Sequence, residues 1–234
     1  MLKLDGVRLH QGDFTLTADL RVETGQVVAV MGPSGGGKST LIAAIAGFLR
    51  LEAGRIYWNS TDLTDLSPGQ RPIAVLFQDN NLFPHLTLLQ NLALAIRPSG
   101  RLISAELQQI GDVLHRVGLT GHEQRKPGSL SGGQQSRGAL ARVLLSKRSL
   151  VLLDEPFAAL GPGLKDEMLD LTLSATATLG QTVLMVTHEP ADAKRIASHV
   201  IAVESGIAFG PVTTRTFLAA PPPGMQNYLG RTGQ

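Results

Sequence analysis

The chain contains no cysteine. Disulfide bridges and thiolate metal sites are thereby excluded, which fits a cytosolic setting. Charge excess is nearly absent too: 21 Lys and Arg against 19 Asp and Glu leave +2 at pH 7. No basic block stands out, so neither the sum nor its distribution argues for a nucleic-acid partner. No apolar run approaches the roughly 20 residues of a spanning helix, so any membrane role is expected to be peripheral. The opening MLKLDGVRLH lacks the apolar centre of a signal peptide, and none is expected. Repeats and low-complexity linkers are missing as well.

What is present is a globular composition: 234 residues, 43% hydrophobic and 17% charged. That is one large domain or two small ones, with enough chain to bury a sizeable core. Residues 14–22, FTLTADLRV, alternate strictly and read as a half-buried, antiparallel strand. Residues 26–31, QVVAVM, are continuously apolar, as in a parallel strand covered on both faces. A helix is expected from Lys38 to about Leu49, and further strands at 55–58 and 73–77.

From Leu86 to Ser146 the helical signals cluster and strand candidates vanish: LLQNLALAI, a stretch from Ser104 to Val117, and GALARVLL. Strand patterns return at 151–155, 182–188 and 199–203, with a helix near 163–178 and a short one later. AAPPPG at 219–224 reads as the start of a loose tail. The expected organisation is an α/β core, 1–83 and 147–218, split by a helical subdomain at 84–146 and followed by a C-terminal tail, 219–234.

Gly32-Pro33-Ser34-Gly35-Gly36-Gly37-Lys38-Ser39 matches GxxxxGK[ST], after an apolar strand and before a helix. Glycines there let backbone N–H groups turn inward around a phosphate, and the helix N-terminus adds partial positive charge. Lys38 is expected to reach the β- and γ-phosphates, the Ser39 hydroxyl to ligate Mg²⁺, and Thr40 to touch the α-phosphate. A Gly-rich turn with a chance lysine is the bland alternative, but strand and helix are both in register. The pattern points to a nucleoside triphosphate and leaves kinase, GTPase and ATPase open.

LVLLDE at 150–155 delivers two carboxylates at the end of an apolar strand, where α/β sites form. Asp154 is expected to hold Mg²⁺ through water and Glu155 to orient and deprotonate an attacking water. Such a base is typically worth about 10²–10⁴ in rate. His188 ends the apolar strand TVLMVTH and is expected at the same sheet edge, against the γ-phosphate. Gln78 follows IAVLF in the same way; alone it is an ordinary loop residue.

Residues 130–134, LSGGQ, are a second Gly-rich turn opening a helix, without strand or lysine. With it, the ordered set resembles the nucleotide-binding subunit of ABC transporters over almost the whole chain. That resemblance implies a P-loop NTPase fold of the ABC ATPase kind, with a mixed-sheet core, an N-terminal antiparallel β subdomain and a helical insert. It implies that Gln78 is a Q-loop residue and metal contact, and that Glu155, His188 and Gln78 are catalytic. It also explains the half-cradle. Two copies bind head to tail, and Ser131, Gly132, Gly133 and Gln134 of one close over the ATP held by the other. Further implied partners are an integral membrane permease, met near Gln78–His85, and a periplasmic solute-binding protein. The implied location is the cytoplasmic face of a bacterial inner membrane.

Several segments resemble bacterial importer ATPases for polyamines, iron, sulfate and thiamine. RPIAVLFQDNNLFPHLTLLQN with Asn80-Asn81, AGFL at 46–49 and DEPFAAL at 154–160 look most like the thiamine branch. With the sequence ending near residue 234, the regulatory domain of many sugar and polyamine relatives is not expected. A soluble, non-transport ABC ATPase and a P-loop small-molecule kinase are the competing readings. Three positions depart from the family pattern. Gly161 stands where its D-loop ends in Asp. Gln135-Ser136-Arg137 replaces Arg-Gln-Arg. The adenine-stacking aromatic is open between His10 and Phe14.

Overall fold

The computed structural model describes residues 1–229 apart from 79–81, 98, 100 and 159. Asp79, Asn80, Asn81 and Ala159, all within motifs quoted above, lie outside the described residues. The elements in chain order are β1 (Leu2–Gln11), β2 (Phe14–Val22), β3 (Val27–Met31), α1 (Lys38–Ala46), β4 (Ala53–Trp58), β5 (Thr61–Asp62) and β6 (Ile73–Leu76). Then come α2 (Leu88–Ile96), α3 (Ser104–Arg116) and α4 (Gly132–Leu145). The remainder is β7 (Leu150–Asp154), α5 (Pro162–Thr178), β8 (Thr182–Val186), α6 (Pro190–Ile196), β9 (His199–Glu204), β10 (Ile207–Thr213), α7 (Thr214–Ala219) and α8 (Pro223–Leu229).

The described strands form one ten-stranded sheet in the order β5-β4-β1-β2-β10-β9-β3-β8-β7-β6. From β9 to β6 all neighbours are parallel, while β1 pairs antiparallel with both β2 and β4. The apolar runs serve two cores at once, because successive side chains of a strand point to opposite faces. Val28, Val30, Leu150, Leu152, Leu184 and Val186 join Leu41, Ile42 and Ile45 of α1 and the inner face of the antiparallel strands. Ala29, Met31, Val151, Leu153, Val183 and Met185 join Leu88, Leu92, Ile110, Leu114, Leu140 and Met168 from α2 to α5. At about 1.5–3 kcal/mol per fully buried large aliphatic side chain, this double burial is what makes the parallel strands a rigid platform.

Several element boundaries differ from the sequence expectation for local reasons. Helix α1 stops at Ala46 rather than near Leu49, because Gly47 at φ 87° turns its N–H back to Ala43 and Ala44. Strand β1 has no simple alternation in the sequence, because its apolar residues, Leu2, Leu4, Val7 and Leu9, change phase. A register shift between Leu4 and Val7 restores all four to one core. Strand β2 is antiparallel to β1 but parallel to β10, so the antiparallel expectation holds on one edge only. The tail is not loose throughout: α8 occupies residues 223–229 and buries Met225 completely. Between β6 and β7 only α2, α3, α4 and short turns occur among the described residues.

Candidate functional site

The parallel order β3-β8-β7-β6 sets the ends of four neighbouring strands side by side. The turn after β3 carries residues 32–37, β7 ends in Asp154, and His188 and Gln78 follow β8 and β6 by two residues each. Gly32 is required by close approach: a Cβ there would lie 1.9 Å from the Val203 carbonyl oxygen. Val203 belongs to the paired strand β9 and cannot yield. Removing the side chain at Gly32 is what lets the loop fold back over the sheet.

Lys38 is only 5% exposed. Its Nζ donates to the Gly32 and Pro33 carbonyls, both at 2.9 Å. Burial pushes its pKa down, opposed by the Glu155 and Asp154 carboxylates. The Ser39 hydroxyl donates to Asp154 Oδ1 at 3.1 Å. Burial raises the Asp154 pKa, and that hydrogen bond pulls it partly back. Cation and carboxylate are thus both partly desolvated, so Lys38 gains from an anionic oxygen brought to it and Asp154 from a cation.

Glu155 adopts φ 48°, a left-handed conformation rare outside glycine. Side chains so held typically cost about 1–3 kcal/mol and cluster at working sites. Here the backbone swings the Glu155 carboxylate toward His188, whose Nε2 lies 2.6 Å from Oε1. One pocket is lined by Ser34, Gly35, Gly37, Lys38, Ser39, Thr40, Glu155 and His188. A neighbouring hollow is lined by Ser39, Phe77, Gln78 and Asp154. Sequence positions as far apart as Ser34 and His188 therefore meet at one sheet edge.

The LSGGQ residues do not line that pocket. Ser131 caps α4: its hydroxyl accepts from the Gln134 N–H at 3.3 Å, and the Gln134 side chain accepts from the Ser131 N–H at 2.9 Å. This capping box satisfies two donors of the first turn. The two glycines are part of the helix itself. A Cβ at Gly132 would meet nothing within 4 Å, whereas one at Gly133 would come 2.6 Å from Leu164 Cδ2. Packing accounts for Gly133 but not for Gly132, and Ser131 and Gly132 are exposed.

Of the two aromatic candidates, Phe14 and its neighbour Gln11 line the pocket. His10 is instead held by Thr15 and Glu52, each at 2.8 Å. Gln11 went unnoticed in the sequence, where nothing marks it. Also unnoticed was Lys165 of α5, whose Nζ meets Glu189 at 2.7 Å and Asp192 at 2.9 Å. Asp192 accepts in turn from Thr187 Oγ1 at 2.7 Å, which ties α5 to the loop carrying His188. Beyond Gln78, Leu82 packs on the core while Phe83 is 40% exposed with the Arg142 guanidinium 5.1 Å from its ring centre. Gly161 caps α5 with extended backbone and no side-chain hydrogen bond.

Among the described residues, no helix is long and apolar enough to cross a membrane. The ABC transporter family profile matches residues 16–158. A thiamine import ATP-binding protein from Cereibacter sphaeroides is 56% identical, over 98% of this chain and all of its own. Proteins of the same name from a Ruegeria species and from Brucella suis are 53% and 43% identical, each over 98% of this chain and 100% and 95% of theirs. A solved ATP-binding cassette, dimeric and in a post-hydrolysis state with ADP and Pi, superposes with TM-score 0.80 at 29% identity, covering 92% of this chain and 99% of that one. An ABC transporter cassette in its ADP conformation gives 0.83 at 26%, covering 94% and 95%.

Proposed function

The chain belongs to the ABC transporter family, and from that premise we propose that it is the ATP-hydrolysing subunit of a bacterial importer whose cargo is thiamine or its phosphates. The cargo assignment is supported by the shared name of its relatives. The observation that carries the mechanism is the gathering of Lys38, Ser39, Glu155 and His188 around one pocket, with the Ser131–Gln134 helix end standing apart and open. A complete cradle and a capped helix end outside it on the same chain are complementary halves. Two copies arranged head to tail bring them together, as the dimeric state of a solved relative supports.

In this reading residues 32–37 wrap the phosphates with backbone N–H groups, and Lys38 exchanges its two carbonyl partners for phosphate oxygens. Pro33 and Gly36 shape that loop, and Thr40 follows the α-phosphate side. The hard oxygens of Ser39 and Asp154, with Gln78 beside them, are the donor type that Mg²⁺ takes; when bound, the ion neutralises charge on the β- and γ-phosphates. Glu155 accepts a proton from the attacking water and hands it on, and His188 holds the transferring phosphoryl group and orients Glu155. The Ser131 hydroxyl and the N–H groups of Gly132 and Gly133 meet the partner's γ-phosphate, with Gln134 completing the cap beside them. Phe14 and Gln11 line the side of the pocket that the base would use. The exposed Phe83 would face the permease, with the chain lying peripherally on the inner face of the membrane. A periplasmic binding protein would deliver the cargo from outside. A kinase reading leaves the open helix end without a purpose.

Glu155→Gln tests this. With Mg-ATP the variant is expected to double its mass in light scattering while turnover stalls by about 10²-fold or more. A variant that stays monomeric, alone and with the permease, would refute the paired-site reading; hydrolysis at the parent rate would refute the base. Uptake of labelled thiamine, but not of iron or polyamine, by the reconstituted importer is the expected outcome for the cargo.

A further inference from the structure

The last helix, α8, makes contacts that its sequence does not advertise. Met225 is fully buried in the core shared with α5 and β8. Gly224 is approached so closely by the Glu204 carboxylate that a Cβ would lie 1.8 Å from Oε1. These two contacts leave α8 one seat and one rotation about its axis. That rotation carries Tyr228 onto the loop after β8. Its hydroxyl donates to the His188 carbonyl at 2.9 Å, and the same oxygen lies 3.4 Å from His188 Nδ1. The two rings meet edge to face with centroids 6.3 Å apart.

A phenol has one hydrogen to give. With that hydrogen spent on the carbonyl, the phenol oxygen faces the ring through a lone pair, 3.4 Å from Nδ1. Nε2 is then the nitrogen turned toward Glu155, as its 2.6 Å contact requires. We propose that Tyr228 is a positioning residue for His188: from helix α8 it clamps the histidine backbone and fixes the ring orientation that turns Nε2 toward the reacting site. Burial pushes the Tyr228 pKa up to about 12, with the Gly32 backbone N–H pulling the other way, so the hydroxyl keeps its proton throughout the working range. Lys165 of α5 and Asp192 of α6 hold the same loop, and the histidine thus sits between two independent supports. The segment after α7 is part of the ATPase machinery rather than an appendage.

This inference rests on the role given to His188 above. The test is steady-state ATPase kinetics on the full chain for Tyr228→Phe, His188→Ala and the double variant. Phenylalanine keeps the ring and removes only the hydroxyl. The expected result for Tyr228→Phe is a kcat lower by about tenfold, or 1.36 kcal/mol by the transition-state relation, with KM for ATP unchanged to within about twofold. The double variant is expected to be no slower than His188→Ala alone, since the tyrosine acts through that ring. A parent-like kcat for Tyr228→Phe, or the same tenfold loss repeated on the His188→Ala background, would overturn the proposal. Full activity in His188→Ala would overturn the histidine's role itself, and so separates the two failures.

Discussion

Asn91 offers the most direct measurement of how the turn from Phe83 to Thr87 is held. It is completely buried in α2. Its Oδ1 accepts from the Phe83 N–H at 2.7 Å, and its Nδ2 donates to the carbonyls of Phe83 at 3.1 Å, Leu86 at 3.3 Å and Thr87 at 3.0 Å. The amide has two hydrogens for three acceptors, so about three full hydrogen bonds are at stake. Asn91→Leu keeps the volume and removes all of them. At a net worth of about 1 kcal/mol each, the loss is about 3 kcal/mol. For a domain of this size that is about 6–12 °C in Tm. Asn91→Ala should be worse, because it adds a cavity. Thermal melts of both variants measure the stability term, and transport by the reconstituted importer measures the coupling term. ATP affinity should stay at the parent level while coupling falls, because the turn, not the cradle, is loosened. If Asn91→Leu melts within about 2 °C of the parent, the hydrogen-bond argument fails and the turn is held by something else.

Three more outcomes follow from the site. Lys38→Ala should abolish nucleotide binding or nearly so, read by fluorescence titration; unchanged affinity would remove the cradle from the account. Burial sets the folded pKa of Asp154 above its unfolded value, so protonation favours the native chain, and that stability is lost as pH rises through the folded pKa. Asp154→Asn should therefore melt higher than the parent in nucleotide-free protein at neutral and alkaline pH, the gain shrinking on acidification, while its hydrolysis disappears. A gain constant across pH would point elsewhere. Gly161→Asp should add a helix cap to α5, for which the backbone is already extended, raising stability by a few tenths of a kcal/mol in chemical denaturation; a loss would mean the cap position is strained.

The parts of the fold that could be read in advance are those governed by short-range rules. LLQNLALAI is a helix from Leu88 to Ile96 because Thr87 and Gln90 cap it reciprocally. FTLTADLRV is a strand from Phe14 to Val22 because its alternation suits a half-buried sheet. The Walker-type loop could be located because its glycines, lysine and serine are adjacent in the chain. Strand β1 could not be read, since a register shift flips its face midway, and no local rule signals where a partner strand forces such a shift. Nor could the docking of α8, which depends on a carboxylate twenty residues earlier touching a glycine backbone.

The same division runs through the chemistry. Residue order alone determined which groups are available for the proposed tasks of holding phosphate, accepting a proton and capping a partner's nucleotide, because those tasks need particular atoms at particular local spacings. Tertiary structure alone decided that Phe14 rather than His10 borders the pocket, that Glu155 bends back onto His188, and that Tyr228 reaches the same histidine. Each of those contacts joins distant segments through strand order and helix seating. Such contacts are set by how the whole core packs, and no short stretch of chain carries that information.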